Sequence, residues 1–464
     1  MANDHRTAAT RVPGVNNAPQ QTPVFRLIVT GGGTGGHTYP ALTAIRTLQA
    51  RLAASGRTLD VLWIGTAEGL EARVTSAEGI PFTTVATGKI RRHANPLKMV
   101  SPANVRDMAR VPLGVARARS AVSAFRPDVV LATGGYVAVP AGLAAKMCRV
   151  PLVLHEQTVR LGLANRKLAG SAARIAVSSE STLPLLPESV RSAAVVTGNP
   201  VRPEILTGHP DKAVTALGLH AFDRRLPTVY VTGGAQGSQQ INDVVGGELP
   251  WLLERANVVH QCGPAHQEAL STRAAGLPAA LATRYHLTAF VGPELPDVLA
   301  LADLVISRSG AGTLAELTAL GKPAVFIPLA TSAGNEQAHN ARHLEESGAA
   351  VALLGEVTGG HLREAVGPLL DDPERRGTMA AAARAHGRPD AAERLVDVIL
   401  SAAMWSDSGA QEWFPFVPGH GASELCTACS GRADGRRRPL MRLPPGSAGA
   451  LPGGRQRGGV SVRC

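Results

Sequence analysis

From Phe25 onward, short apolar runs alternate with longer stretches whose apolar residues recur every three or four positions. Runs at 25–30, 59–64, 81–86, 128–132, 151–154, 174–177 and 193–196 read as strands, with helical segments between them. After the first run, Leu42, Ile45, Leu48 and Leu52 stand on one face of a helix. A second series opens at Thr228–Thr232 and repeats the alternation at 257–261, 286–290, 304–307, 324–328 and 350–354. Apolar strands separated by helices indicate parallel sheets covered on both faces. The expected fold class is therefore α/β, with two doubly wound parallel-sheet domains in tandem. Their boundary falls near Gly198-Asn199-Pro200, giving domains at 24–198 and 199–404. Ligands of such sheets lie beyond the carboxyl ends of the strands, so the cleft between the domains is the expected site.

The two ends of the chain differ from this pattern. Residues 1–23 are polar, carry Pro13, Pro19 and Pro23, and contain no apolar core of the kind a signal peptide needs. They read as a disordered leader. Residues 405–464 are rich in Gly, Pro, Ser and Arg, including Arg436-Arg437-Arg438, and read as a disordered basic tail. No apolar run is long enough to span a bilayer.

Composition narrows the partners. Aromatic residues are only 3%, so Leu, Val, Ile and Ala must fill the cores. A net charge of +11 suits an anionic partner: nucleic acid, a phosphate-bearing substrate or an acidic lipid surface. The five cysteines, at 148, 262, 426, 429 and 464, form no disulfide framework, which points to a reducing compartment. Cys426 and Cys429, with His420 and Cys464, lack a second ligand pair, so no metal site is expected.

Glycines mark where the chemistry lies. Leu27–Thr30 runs into Gly31, Gly32, Gly33, Gly35 and Gly36, and a helix follows. Free N–H groups at that helix start favour an anion, and glycines let the backbone approach it. Gly31, Gly33 and Gly36 fit the dinucleotide spacing, but no acid stands at the end of the second strand; Trp63-Ile64-Gly65-Thr66 comes first and Glu68 lies beyond. No Walker lysine follows either this loop or a second one at Gly233–Gly237. Two phosphate-cradling loops facing one cleft fit a transferase whose donor and acceptor both carry phosphates. A third helix start follows the strand 304–307 at Arg308–Thr313, with Glu316 in its first turn. His37, at the lip of the first loop, can exchange a proton near neutral pH.

Nine motifs then occur in a fixed order: GGGTGGH at 31–37, GTAEGLE at 65–71, GGYVAVPAGLAA at 134–145, LHEQTVRLGLANRKLA at 154–169, GNPVR at 198–202, GGAQGSQQIN at 233–242, HQCG at 260–263, RSGAGTLAEL at 308–317 and GNEQAHNA at 334–341. Over roughly Phe25 to Leu400 the chain resembles the MurG family of bacterial wall glycosyltransferases. The resemblance implies a GT-B fold and an inverting reaction with no metal or other cofactor. N-acetylglucosamine would pass from UDP-N-acetylglucosamine to lipid I, undecaprenyl-pyrophosphoryl-MurNAc-pentapeptide, giving lipid II. The enzyme would sit peripherally on the cytoplasmic face of the plasma membrane, with no nucleic-acid partner.

The same resemblance implies roles for particular residues. Glu316 would accept ribose hydroxyls, Val291 would meet the uracil through its backbone, Arg202 would lie near the base, and Gln337 would stand beside the sugar hydroxyls. Ala311, Gly312, Thr313, Leu314 and Ala315 complete the donor set at the third helix start, together with Ala235 and Gln236 from the second loop and Thr158. Thr34, Gly35 and Gly36 would lie nearest the acceptor diphosphate, and they count among the donor contacts as well. Gly33, Tyr136, His155 and Asn165 stand on the acceptor side, with Gln157 also near the cleft. His155 can equally hold a loop, and Asn340 can brace one.

Inversion needs a base near the acceptor hydroxyl. His37 is the leading candidate and Glu156 the second; a phosphate or loop contact is the other reading of His37. Two positions depart from the family. Thr158 stands where an asparagine is usual, and Ala235 replaces a serine that meets the donor phosphate. They leave open a paralogue acting on another sugar or acceptor, as in an antibiotic pathway; a non-catalytic nucleotide-sugar-binding scaffold is the separate alternative, against which His37, Glu316 and Gln337 speak. Finally, the stretch 90–122 mixes Leu97, Met99, Val100, Met108, Val111, Leu113 and Val115 with Arg91, Arg92, Lys98, Arg106, Arg110, Arg117 and Arg119. Such a segment beside the acceptor domain is expected to lie on anionic lipid.

Overall fold

A computed structural model describes residues 23–87 and 102–407. The first series forms β1 (Val24–Gly31), β2 (Thr58–Gly65), β3 (Phe82–Thr84), β4 (Val129–Gly134), β5 (Leu152–Glu156), β6 (Arg174–Val177) and β7 (Ala194–Val196). The second forms β8 (Thr228–Thr232), β9 (Asn257–Gln261), β10 (Tyr285–Thr288), β11 (Leu304–Ser307), β12 (Ala324–Phe326) and β13 (Val351–Ala352). Each series makes its own sheet, ordered β3-β2-β1-β4-β5-β6-β7 and β10-β9-β8-β11-β12-β13, and every pair is parallel. The α/β class and the two parallel sheets agree with the apolar pattern.

The order of strands reverses beside β1 in one sheet and beside β8 in the other. A crevice opens at such a switch point because neighbouring connections leave in opposite directions. The glycine loop after β1 and the one after β8 both lie at these points.

Alternation along the strands divides the first sheet between two cores. Ile28, Val130, Leu152, Leu154 and Ile175 face one side, where Ala118, Val122, Ala141 and Leu168 come from helices. Leu27, Val29, Trp63, Leu131 and Val153 face the other, against Ala41, Ile45 and Leu48 of the helix Gly35–Ala54. That second core also takes Leu395, Val396, Ile399 and Ala402 from the helix Ala391–Asp407. The chain thus finishes the second sheet and then returns to the first. The segment 199–404, expected as one donor-binding domain, therefore leaves its last helix in the core of the other sheet.

The basic stretch 90–122 is only partly described. Residues 88–101 lie outside the described residues, as do the leader and the cysteines and histidine of the tail. In the helix Pro102–Phe125, Ala118 and Val122 are buried in the first core, whereas Leu113 is 51% exposed and Arg110, Arg117 and Arg119 point outward. Among the described residues, no helix is long and apolar enough to cross a membrane.

Candidate functional site

The first loop is shaped by a buried carboxylate. Gly33 takes φ +84°, a region that glycine enters without strain. Its N–H donates to Glu71 Oε2 at 3.0 Å, while Thr66 donates to Glu71 Oε1 from its backbone N–H (3.0 Å) and its hydroxyl (2.7 Å). Burial opposes the charge on Glu71, but the Thr66 hydroxyl and the backbone N–H donors outweigh it and hold the carboxyl below its ordinary value. Side chains larger than glycine do not fit here: a Cβ at Gly32 would collide with the Glu71 carboxylate, and one at Gly135 would reach the carbonyl of Gly32. Tyr136, partly exposed, stands over Gly33. Thr34, Gly35 and Gly36 open the helix, whose first N–H groups have no intrahelical acceptor.

His37, half-buried two residues into the helix, points at the carboxyl ends of β4 and β5. Its Nδ1 lies 3.0 Å from Gln157 Oε1, and its ring packs against Gly134. Gln157 Nε2 in turn reaches the carbonyl of Thr133 (2.8 Å), Nδ1 of His155 (3.0 Å) and the carbonyl of His155 (3.1 Å). His155 is fully buried, with Nε2 at 3.1 Å from the carbonyl of Gly198. Burial above all, with a smaller contribution from His37, lowers its pKa to about 4, so it is neutral at pH 7. Of the two readings of His155, this position supports the holder of a loop.

Glu156 is saturated. Its Oε1 takes the Thr158 N–H (3.1 Å) and lies 2.7 Å from the Thr158 hydroxyl; its Oε2 takes the Gly162 N–H (2.8 Å) and Asn165 Nδ2 (3.0 Å). Such a carboxylate ties down the turn 158–165, with both of its oxygens engaged there. The Thr158 hydroxyl also lies 2.7 Å from the carbonyl of Arg160, so it is engaged within its own turn. Asn165 also donates to the carbonyl of His155 at 3.1 Å, while its Oδ1 is buried with no partner among the described residues.

In the second sheet, Gln261 at the end of β9 plays the part that Glu71 plays in the first. Its Nε2 donates to the Thr232 hydroxyl (3.0 Å) and the Gly234 carbonyl (2.9 Å), and its Oε1 receives the Val291 N–H (2.8 Å). The backbone donor of Val291 is therefore occupied, and only its carbonyl is left to meet a base. Ala235 and Gln236 stand exposed at the tip of the loop, and Gly237 lets it pass against the carbonyl of Cys262.

The helix Ala311–Leu320 starts directly after the loop at 308–310, with residues 311–316 half-buried at the cleft. Arg308 braces that loop, donating to Gln240 Oε1 and to the carbonyls of Ile327 and Pro328. Glu316 Oε1 receives Arg202 Nη2 at 3.0 Å and Nε at 3.3 Å. Burial raises the Glu316 pKa, and the Arg202 charge works against that rise. Gln337 Oε1 accepts the Leu329 N–H (2.9 Å), which leaves its amide nitrogen for a ligand. Asn340 donates to the carbonyl of Ser309 and acts as a brace.

Cavities open between the two sheets among the described residues. One, of about 370 Å³, lies behind the loops among Gln157, Asn199, Leu314, His343 and His386. Another, of about 210 Å³, opens between Thr158, Arg160 and Arg166 on one side and Glu336, His339 and Asn340 on the other. The larger sits at the junction of the sheets, whereas the smaller adjoins the turn held by Glu156. Glu71 and Gln261 received no role from the sequence, and Gln157 only a place near the cleft, although each lies in one of the ordered motifs.

Comparisons with known proteins agree with this geometry. Residues 27–177 match the glycosyltransferase family 28 N-terminal domain and residues 228–395 its C-terminal domain. The chain is 39% identical over 385 residues to the UDP-N-acetylglucosamine–N-acetylmuramyl-(pentapeptide) pyrophosphoryl-undecaprenol N-acetylglucosamine transferase of Moorella thermoacetica, covering 81% of this chain and 98% of that one. It is 35% identical to the enzyme of the same name from Halalkalibacterium halodurans, over 80% of this chain and 98% of the relative. The crystal structure of Acinetobacter baumannii MurG superposes with a TM-score of 0.61 at 27% identity, covering 81% of this chain and 99% of that one. A UDP-GlcNAc 2-epimerase from Neisseria meningitidis, 16% identical, shares the fold with a TM-score of 0.56.

Proposed function

We infer, since the chain belongs to glycosyltransferase family 28 and within it to the MurG enzymes, that it moves N-acetylglucosamine from UDP-N-acetylglucosamine to the muramyl sugar of lipid I, forming lipid II for peptidoglycan. The observation that carries this reading is its similarity to enzymes of that name across almost their whole length. Glycine loops at both switch points supply the two anion sites that such a donor and acceptor need. Through lipid II the enzyme would serve wall growth, and with it cell shape and division.

The roles of individual residues follow from the site. The loop 33–36 receives the diphosphate of the acceptor, with Tyr136 at its edge. The uridine lies against the carbonyl of Val291, near Arg202, with its ribose on Glu316. Among the described residues Glu316 Oε2 has no hydrogen-bond partner, so a ribose hydroxyl can reach it while Arg202 stays on Oε1. The donor diphosphate meets the first N–H groups of the helix Ala311–Leu320 and the loop at Ala235 and Gln236, with Gln337 at the sugar. His37 takes the proton of the acceptor hydroxyl as its oxygen bonds to the anomeric carbon. The bond from that carbon to the phosphate oxygen breaks, and UDP leaves with the electron pair. The donors at 311–313 meet the charge that develops on it.

His37 is favoured over Glu156 because both carboxylate oxygens of Glu156 are engaged within the turn 158–165. Formation of lipid II and UDP from UDP-N-acetylglucosamine and a lipid I analogue tests the activity; no product with either substrate at saturation would overturn it. His37→Ala is expected to lower kcat about 10²–10⁴-fold with little change in KM for the donor. Near-normal turnover of that variant would remove His37 from the mechanism and leave the activity standing.

A further inference from the structure

We propose that Gln157 is a positioning residue that fixes the tautomer of His37, placing the proton on Nδ1 and leaving Nε2 unprotonated for the acceptor hydroxyl. The inference rests on His37 serving as the base.

The orientation of the Gln157 amide is over-determined. One end of it faces two carbonyl oxygens, those of Thr133 at 2.8 Å and His155 at 3.1 Å. Carbonyls only accept, so that end is the NH₂ group. The opposite end, facing His37 Nδ1 at 3.0 Å, is then the amide oxygen, which also only accepts. A hydrogen bond there requires the proton on Nδ1 of His37. The other nitrogen, Nε2, has no hydrogen-bond partner among the described residues.

His155 closes the arrangement from behind. Its Nε2 faces the carbonyl of Gly198 at 3.1 Å, so that nitrogen carries the hydrogen and Nδ1 accepts from Gln157. Held neutral by burial, His155 offers Gln157 an acceptor and never a second donor across the working pH range. Donation therefore runs one way, toward Gly198: His37 gives to Gln157, Gln157 to His155, and His155 to the Gly198 carbonyl. Gly198 begins the segment that joins the two sheets, so the orientation of the base is anchored where the sheets connect. An imidazole with no such partner distributes its proton between the two nitrogens, and only one of the tautomers can serve as the base.

The test is nitrogen NMR of full-length protein labelled in its histidine imidazoles, with His37 assigned by comparison with His37→Gln. In the wild type at pH 7.5 to 8, the His37 Nδ1 resonance should be that of a protonated nitrogen and Nε2 that of an unprotonated one. Gln157→Leu, similar in size and unable to accept, should shift His37 toward a mixture of tautomers. Its kcat should fall about tenfold or more, with KM for UDP-N-acetylglucosamine and stabilisation by UDP unchanged. Gln157→Asn, whose amide is too short to reach Nδ1, should behave alike and serves if the leucine variant does not fold. A wild-type His37 protonated on Nε2, or a tautomer unchanged in both variants, would overturn the proposal. A tautomer that shifts as expected in an enzyme whose His37→Ala variant is still active would uphold the positioning and overturn the base.

Discussion

At the scale of the residue, Glu71, Gln157 and Gln261 do related work: each is a buried or nearly buried acceptor that fixes a loop bordering the cleft. Glu71→Gln is the sharpest test. Its oxygen can still face Thr66, but an amide NH₂ would then meet the N–H of Gly33, donor against donor. Expected are a loss of about 1–3 kcal/mol in urea unfolding and a higher KM for the lipid acceptor. An unchanged KM would separate the brace from the anion site. Ala235→Ser would restore the hydroxyl usual in the family. If that loop meets the donor phosphate, KM for UDP-N-acetylglucosamine should fall about two- to tenfold, as one hydrogen bond of roughly 0.5–1.5 kcal/mol would give. The candidate residues were legible because motif order carries them, whereas their duties were not. Sequence shows that Gln157 follows His155 and Glu156 but not which end of its amide faces His37. Glu156 reads as a second base until both of its oxygens are seen to be engaged.

At the scale of the element, most strands were readable to within a residue or two, because a sheet covered on both faces leaves short, uninterrupted apolar runs. The run expected at 286–290 ends at Thr288 in β10, and Phe290 is 56% exposed beyond it. The helix Ala391–Asp407 shows the limit of such reading. Its apolar stripe announces that some core will cover it, but periodicity does not say which. Leu395 and Ile399 are fully buried against the first sheet, although they follow the second in the chain. Ile399→Ala should therefore destabilise the protein by about 2–5 kcal/mol, measured by urea unfolding, with the protection of β1 and β5 amides from hydrogen exchange reduced along with it. If exchange quickened only in the strands of the second sheet, the helix would not be performing that closure.

At the scale of the whole molecule, the acid side of the stability curve follows from histidines held neutral. His155 in β5 of the first sheet and His260 in β9 of the second are each buried, and burial lowers both to about pKa 4 from an ordinary 6.5. His260 is held between Asn242 and Tyr285 at 3.1 and 3.0 Å. Between pH 6.5 and 4 the unfolded chain binds protons at these positions that the folded chain refuses. Their contribution to stability is thus whole above pH 6.5 and drains away as the pH falls, by up to about 1.4 kcal/mol per pH unit for each. His286, His339 and His386 are lowered as well, chiefly by burial, and act in the same sense. Glu316, raised by burial, acts in the opposite sense just above pH 4.5, and Glu71 adds to the acid loss only below it. Absolute slopes therefore mix several groups, and a difference isolates one. His260→Gln keeps a polar side chain between Asn242 and Tyr285 but cannot titrate. Its unfolding free energy, measured in urea from pH 7.5 to 5, should be lower than that of the wild type at neutral pH. The gap should then narrow by about 1 kcal/mol per unit below pH 6. Parallel curves across that range would show that His260 takes up its proton alike in the folded and the unfolded chain, and burial would then not be what holds it neutral.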